Sequence, residues 1–217
     1  MKQRILLGAL ALCSTLAFAE APMITDDAGT LDKGSKKIEG GFVKSGSERA
    51  YGLSSGFSPI DNVELGLSLQ HARDSSIPAS GNATGLSAKW IPIKSDIFSA
   101  GVKLDYVHAK SGGVSANETT FTALGTARFE SGYVLHANLG RTSVSGGGGH
   151  ANNWAMGAEA PVADKVQLTF DIYSSTGSDT GKQIGARWEV QKGIKLSAAF
   201  GRHNTQNTAY AGFSWEF

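Results

Sequence analysis

Cysteine, proline and long apolar runs are all scarce in this chain. Cys13 is the only cysteine among 217 residues. It lies in an amino-terminal stretch that reads as a removable signal, so the exported chain has no disulfide and no thiol chemistry. Beyond that stretch no run approaches 18 consecutive apolar residues, which excludes a helical membrane span. Neither sign of charge dominates. Removing Lys2 and Arg4 from the 20 basic residues leaves 18 against 19 acidic ones, a formal charge of −1. That balance carries no footprint of a nucleic-acid partner. There is no helical heptad and no collagen period, and no motif implies a cofactor.

The signal itself is legible. Lys2 and Arg4 form a positive start, Ile5 to Leu16 an apolar run, and Ala17-Phe18-Ala19 a small-residue cleavage site, so residues 1–19 are expected to be removed. Leu12 stands where a lipoprotein signal wants a small residue, so Cys13 is not expected to carry a lipid. Periplasm, medium and outer membrane remain as destinations.

What the chain has in abundance is glycine, 28 residues of it, and alternation. In the last eleven residues Ala209, Ala211, Phe213, Trp215 and Phe217 share one parity, while Tyr210, Gly212, Ser214 and Glu216 share the other. A strand turns successive side chains to opposite faces, so one face is apolar and aromatic and the other small or polar. Its length suits a tilted strand crossing a bilayer, and it resembles the closing strand of bacterial outer-membrane barrels. An open sheet edge in lipid is prohibitively costly, so if one strand spans, all must.

About twelve such segments, near ten residues each, fill the chain. They fall at 37–44, 49–58, 62–72, 83–92, 98–109, 118–129, 132–142, 151–161, 165–174, 182–190, 193–202 and 207–217. The connections after even-numbered segments are short, and most of the others are longer and richer in Gly, Ser and Asn. Short periplasmic turns and longer extracellular loops are the grammar of outer-membrane barrels. The predicted fold is therefore all-β: a single antiparallel up-and-down transmembrane β-barrel of about twelve strands over 37–217, preceded by a periplasmic or lumenal segment at 20–36.

Alternation alone does not say which face is inside, and a secreted β-sandwich would bury the apolar one. A lipid-facing apolar parity is favoured because the other parity, full of Gly and Ser, suits a wet lumen. A barrel this wide would also be poorly filled by a dry core. Aromatic residues gather at strand ends, as in the girdles that flank a lipid-facing band. Phe57, Trp90, Phe129, Tyr133, Trp188, Trp215 and Phe217 fall near the short turns, with Trp154 nearer the loops.

The lumen would then be lined by Glu39, Glu64, Lys89, Lys103, Asp105, Arg128, His136, Glu159, Asp171, Arg187, Glu189, Lys195 and Glu216, with Asn138 on the same parity. Neighbouring strands carry opposite signs, Glu64 beside Lys89 and Glu189 and Glu216 flanking Lys195, which stabilises a sheet modestly. Matched signs argue against a strongly ion-selective ring. The structural reading is mutual neutralisation that partly closes the lumen, and the functional reading is a weakly selective polar constriction.

Other candidates are weaker. The glycine run Gly146–Gly149 lacks the strand-helix setting and the Lys-Ser/Thr of a phosphate loop. His71, His108, His150 and His203 lie on different hairpins without metal-ligand spacing. Asp26, Asp27 and Asp32 lack the bidentate Glu of a calcium loop. No Ser or Asp flanks His136 in sequence, so a hydrolase would need a triad assembled across strands. On the loop side Lys44, Arg49, Arg73, Lys110, Arg141, Lys182 and Arg202 stand against Glu48, Asp74, Glu118 and Asp179. That excess suits phosphorylated lipopolysaccharide or ordinary loop solvation.

Residues 22–31, PMITDDAGTL, followed by Lys33-Gly34 and a first strand bearing Glu39, resemble the start of a family of small outer-membrane barrels, the meta-pathway phenol-degradation proteins, often described as transporters. The resemblance implies passage of small aromatic or hydrophobic solutes across the bacterial outer membrane; no enzyme activity is expected, since every histidine except His136 lies in or beside a loop. The expected partners are membrane lipid and lipopolysaccharide, the barrel-assembly machinery through the last strand, and a small solute. A closed structural or surface-interaction barrel is the competing reading, and an outer-membrane enzyme the remote one. Residues 20–36, entering from the periplasmic side, are also placed to fold into the lumen as a plug.

Overall fold

The computed structural model describes residues 20–76, 79–145 and 148–217. The signal reading at 1–19, with Cys13, lies outside them, as do residues 146 and 147 of the glycine run.

Among the described residues twelve strands follow in chain order. They are β1 (Lys36–Ser45), β2 (Glu48–Ile60), β3 (Val63–Asp74), β4 (Ala79–Lys94), β5 (Phe98–Ser111), β6 (Val114–Arg128), β7 (Val134–Val144), β8 (Gly149–Ala163), β9 (Val166–Ser175), β10 (Gly181–Gln191), β11 (Ile194–His203) and β12 (Gln206–Glu216). Each pairs with its sequence neighbours, and β1 pairs with β12, so the sheet is a closed barrel with no free edge. The seam sets Lys37 opposite Glu216 and Ser45 opposite Thr208. It ends where the Lys36 and Phe217 backbones exchange bonds of 2.8 and 2.9 Å. Closure satisfies every strand's ladder groups, which a sheet in hydrocarbon requires.

Several strands on the side away from the seam's Lys36 end run further than alternation suggests. β4 begins at Ala79 and β6 at Val114, and residues 112–113 alone join β5 to β6. Gly112 and Gly113 both have positive φ, 57° and 81°, the geometry of a two-residue turn whose twist matches the strands it joins. The ladder therefore continues up to the turn. Register shifts occur at Phe57/Ile60, Trp90/Ile93, Pro161/Ala163 and Glu189/Gln191. All four lie at the opposite, terminus-side rim, where bulges sharpen strand twist at the end of pairing.

The two faces are opposite in kind to those of a soluble barrel. Leu139 is 69% exposed and Trp188 53%, while the inward Ser68 is 2% and Arg187 3% exposed. A continuous apolar exterior is costly in water, at ~25 cal/mol per Å², and is what a hydrocarbon surround requires. The predicted girdle residues all face outward and are exposed. At the seam the rings of Trp215 and Phe217 lie 4.6 Å apart.

The core is thus the lumen, and it is partly apolar, which the alternation did not suggest. Ala83, Val107, Ala109 and Ala116 cluster inside the outer half, with Val114 and Val144 against them. Deeper in, Ile91 of β4 and Leu124 of β6 enclose Ala28 from the segment that precedes β1.

Candidate functional site

That preceding segment, residues 20–35, crosses the lumen and bonds to side chains of β3, β4, β5, β6, β7, β9, β10 and β11, eight of the twelve strands. Its own backbone supplies many of the contacts. The Thr25 N–H donates to Asp171 Oδ1 at 3.0 Å, Ala28 N–H to Thr126 Oγ1 at 2.7 Å and Leu31 N–H to Glu64 Oε2 at 3.0 Å. Asn138 grips Asp26 at both ends of its peptide: Oδ1 accepts from Asp26 N–H at 2.7 Å, and Nδ2 donates to Asp26 O at 2.8 Å. A chain with few repeating bonds of its own needs such partners when buried.

Wall glycines make the room. A Cβ at Gly185 would sit 2.7 Å from Pro22 Cγ, and one at Gly157 would overlap Met23 and Thr25. These two wall positions are therefore shaped to this segment.

Charge pairing runs mainly between wall and segment rather than from strand to strand. Lys89 faces Glu64 across the β3–β4 pair, yet its ammonium lies 2.7 Å from Asp26 Oδ1 and 3.1 Å from Asp27 Oδ1. Lys103 meets Asp26 Oδ2 at 2.8 Å and Asp105 at 3.4 Å. Lys195 stands in register with Glu189, but on its other side it faces Ser214 rather than the expected Glu216, which lies opposite Lys37 across the seam, and its ammonium bonds Glu20. Glu189 accepts from Gly193 N–H at 3.0 Å, and Glu216 is exposed at the rim. Glu39 pairs with Lys37 at 3.4 Å, and Arg128 donates to Ser99 at 2.9 Å. On the segment, burial pushes the Asp27 carboxyl up, but Lys89 and Lys37 outweigh it and hold the group well below the usual carboxylate range. Glu20 is likewise lowered, burial being outweighed by Arg187 and Lys195.

Arg187 ties the system together. Its Nε and Nη2 donate to Ala21 O and Glu20 O, both at 2.8 Å, and its Nη1 to Glu159 Oε2 at 2.9 Å. Glu159 Oε1 lies 3.0 Å from His136 Nε2, and His136 Nδ1 lies 2.9 Å from Thr126 Oγ1. Thr126 accepts from Ala28 N–H, so its hydroxyl proton is free to point at Nδ1, leaving Nε2–H to donate to Glu159.

Thr126, His136 and Glu159 thus form the cross-strand arrangement that a hydrolase would need. It does not have the access one requires. Thr126 is fully buried, and its oxygen already holds the Ala28 amide. The arrangement serves here as a relay of bonds from the segment, through the wall, and back to the segment.

The loop-side charges are sorted by face, a pattern that counting could not reveal. Lys44, Arg49, Arg73, Lys110, Arg141, Lys182 and Arg202 all point outward and are exposed. Glu48, Asp74 and Glu118 face inward and line the outer lumen. His71 and His108 each bond an Asn on the neighbouring strand, Asn82 at 2.8 Å and Asn117 at 2.7 Å. His203 faces in and packs against Tyr173, the rings 5.2 Å apart.

Above the segment the lumen opens as two cavities of about 420 and 490 Å³ that meet at Ile24, Tyr173, His203 and Asn204. Residues 21–24 floor the first, and Ile24 and Asp26 floor the second. The interior is a cup: walled by twelve strands, and closed toward the Lys36 end by the chain's own leading residues.

A closed antiparallel barrel, apolar outside and polar within, is the fold of the transmembrane β-barrels. No protein-family model matches the chain, and no curated protein matches it in sequence. Solved structures share the fold. A KdgM porin, in complex with disordered oligogalacturonate, superposes with a TM-score of 0.67 at 12% identity, over 83% of this chain and 99% of that one. An outer membrane channel from Pseudomonas putida F1 gives 0.66 at 8% identity, over 88% and 98%. The translocator domain of the autotransporter NalP from Neisseria meningitidis gives 0.57 at 15% identity, over 100% and 95%.

Proposed function

We propose that the protein is a porin-like channel of the bacterial outer membrane, passing small solutes through a lumen that its own segment 20–35 plugs. One observation carries this reading: a segment outside the barrel wall is bonded to eight strands across an interior that is otherwise open as a cup. A purely structural barrel of this width needs no separate, many-partnered stopper over an outward-facing cavity. Residues 1–19 act as a signal that is removed, and β12 is the strand the assembly machinery engages. The inward apolar cluster around Val107 supports the aromatic or hydrophobic solutes that the resemblance to phenol-degradation transporters implies. The outward bases contact lipid phosphates. The buried Thr126 favours transport over hydrolysis.

The test is conductance of the refolded protein in planar bilayers, intact and without residues 20–35. The intact protein is expected to be closed or to show small steps, and the deletion to show larger, lasting ones. Silence in both forms would instead identify a closed structural barrel.

A further inference from the structure

The first cavity has a chemistry of its own. It lies mainly against β1, β2 and β12, with Asp74, Tyr173, Gln183 and His203 closing its other side, and is lined by three carboxylates, Glu39, Glu48 and Asp74, and by no Lys or Arg among the described residues. Its floor is Pro22, Met23 and Ile24, and its walls include Tyr173 and Tyr210.

Glu39 is the deepest of the acids, 8% exposed. Its Oε2 meets Lys37, while its Oε1 is buried with no hydrogen-bond partner among the described residues. Thr208 Oγ1, on the same wall, is in the same condition. A buried carboxylate oxygen without a donor is costly, and that cost is relieved by a ligand bringing an N–H. Tyr210 shows how the wall is made flat. A Cβ on Gly41 would lie 2.7 Å from its ring, and one on Gly212 would overlap its hydroxyl. The ring therefore lies on bare backbone and keeps its other face toward the cavity. Aromatic faces attract cations, more strongly when water is excluded.

Three carboxylates against the single base Lys37 leave a net negative cavity that repels an anion, and an apolar floor gains nothing from a small sugar. A volume near 420 Å³ falls in the range of small-molecule sites, about 300–1,000 Å³. We propose that this cavity binds a small organic cation with an apolar body, its ammonium donating to the Glu39 carboxylate beside Tyr210 and its body resting on Pro22, Met23 and Ile24. The proposal rests on the lumen being open to solutes from outside, as the channel reading has it, but not on conduction.

The experiment is equilibrium titration calorimetry on the refolded full chain in non-ionic detergent. Three probes of one shape serve: phenethylammonium, neutral 2-phenylethanol and anionic phenylacetate. Phenethylammonium is expected to bind at least about tenfold tighter than the other two, the worth of a charge-assisted hydrogen bond. Glu39→Gln should erase about tenfold of that affinity, while Asp74→Asn, at the mouth, should cost about twofold to threefold. Phenylacetate binding as tightly, no heat with phenethylammonium, or unchanged affinity in Glu39→Gln would each overturn it. Should Glu39→Gln fail to refold, Tyr210→Leu replaces it: a loss of about threefold or more supports the site, and none refutes it. Binding by a barrel that carries no current would retain this site and remove the channel. Current with no preference for the ammonium would do the reverse.

Discussion

Asp26 reaches Lys103 across the lumen at 2.8 Å, over a separation of 77 residues. The same carboxylate holds Lys89 through its other oxygen at 2.7 Å. One acid from the leading segment therefore bridges two buried bases on adjacent wall strands, which share the remaining charge with Asp27 and Asp105. Asp26→Asn would leave both under-compensated, and breaking a buried pair from one side costs about 3–5 kcal/mol. The expected result is a loosened segment: more frequent open steps in planar bilayers, and cleavage of residues 20–35 by protease in a barrel that still resists unfolding. An unchanged current record together with full protease protection would count against the plug.

Acid should release the same segment. Glu20 and Asp27 both have carboxyl groups held below their ordinary range when docked. Groups depressed in this way stabilise docking fully above the pKa they have when released, about 4. That stabilisation is lost as pH falls toward the docked values. Conductance should therefore be flat from about pH 8 to pH 5 and rise below about pH 4. A rise confined to the range around pH 6 to 7 would assign gating to a histidine instead.

Space at the wall offers a test that leaves charge untouched. Gly157→Val and Gly157→Leu would each drive a side chain into Met23 and Thr25, while both remain tolerable in a strand. Either variant should conduct like the 20–35 deletion while migrating as a folded barrel on cold electrophoresis. Closed records from both would mean that the segment repacks without leaving.

The outer face supplies the control. Leu139, 69% exposed on β7, lies in the apolar band, and Leu139→Arg should cost about 2–4 kcal/mol in folding into lipid vesicles. Urea titration in vesicles measures this. A variant as stable as the parent would place Leu139 outside the hydrocarbon.

Much of this was legible from parity. Alternation located twelve strands, the face of each girdle residue, and the inward side of His136, Glu159 and Arg187, because a period of two is a local property of the chain. Pairing was not local. Lys89 and Lys195 stand in register beside Glu64 and Glu189, but their ammonium groups go to Asp26 and Glu20, and only the path of residues 20–35 decides that. Tyr173 and Tyr210 share the parity of Asp171 and Glu216 and so were readable as lumenal, yet only bare glycine opposite Tyr210 shows why an aromatic belongs there. The far-side acids and bases look mixed when counted together, yet the same parity sorts them: Lys44 shares the face of Phe42 and Arg202 that of Phe200, while Asp74 shares that of Gln70. Loop lengths misled in the same direction: Gly112 and Gly113 read as part of a longer loop, whereas their backbone makes the shortest turn a hairpin allows.

The bond between Lys36 and Phe217 has a consequence for birth order. Residues 20–35 leave the ribosome ahead of every strand, yet their anchors span β3 to β11 and share one enclosure only after β12 meets β1. The earliest of these residues to be made are thus the last to settle, and the stopper cannot be seated until the bottle around it has been blown.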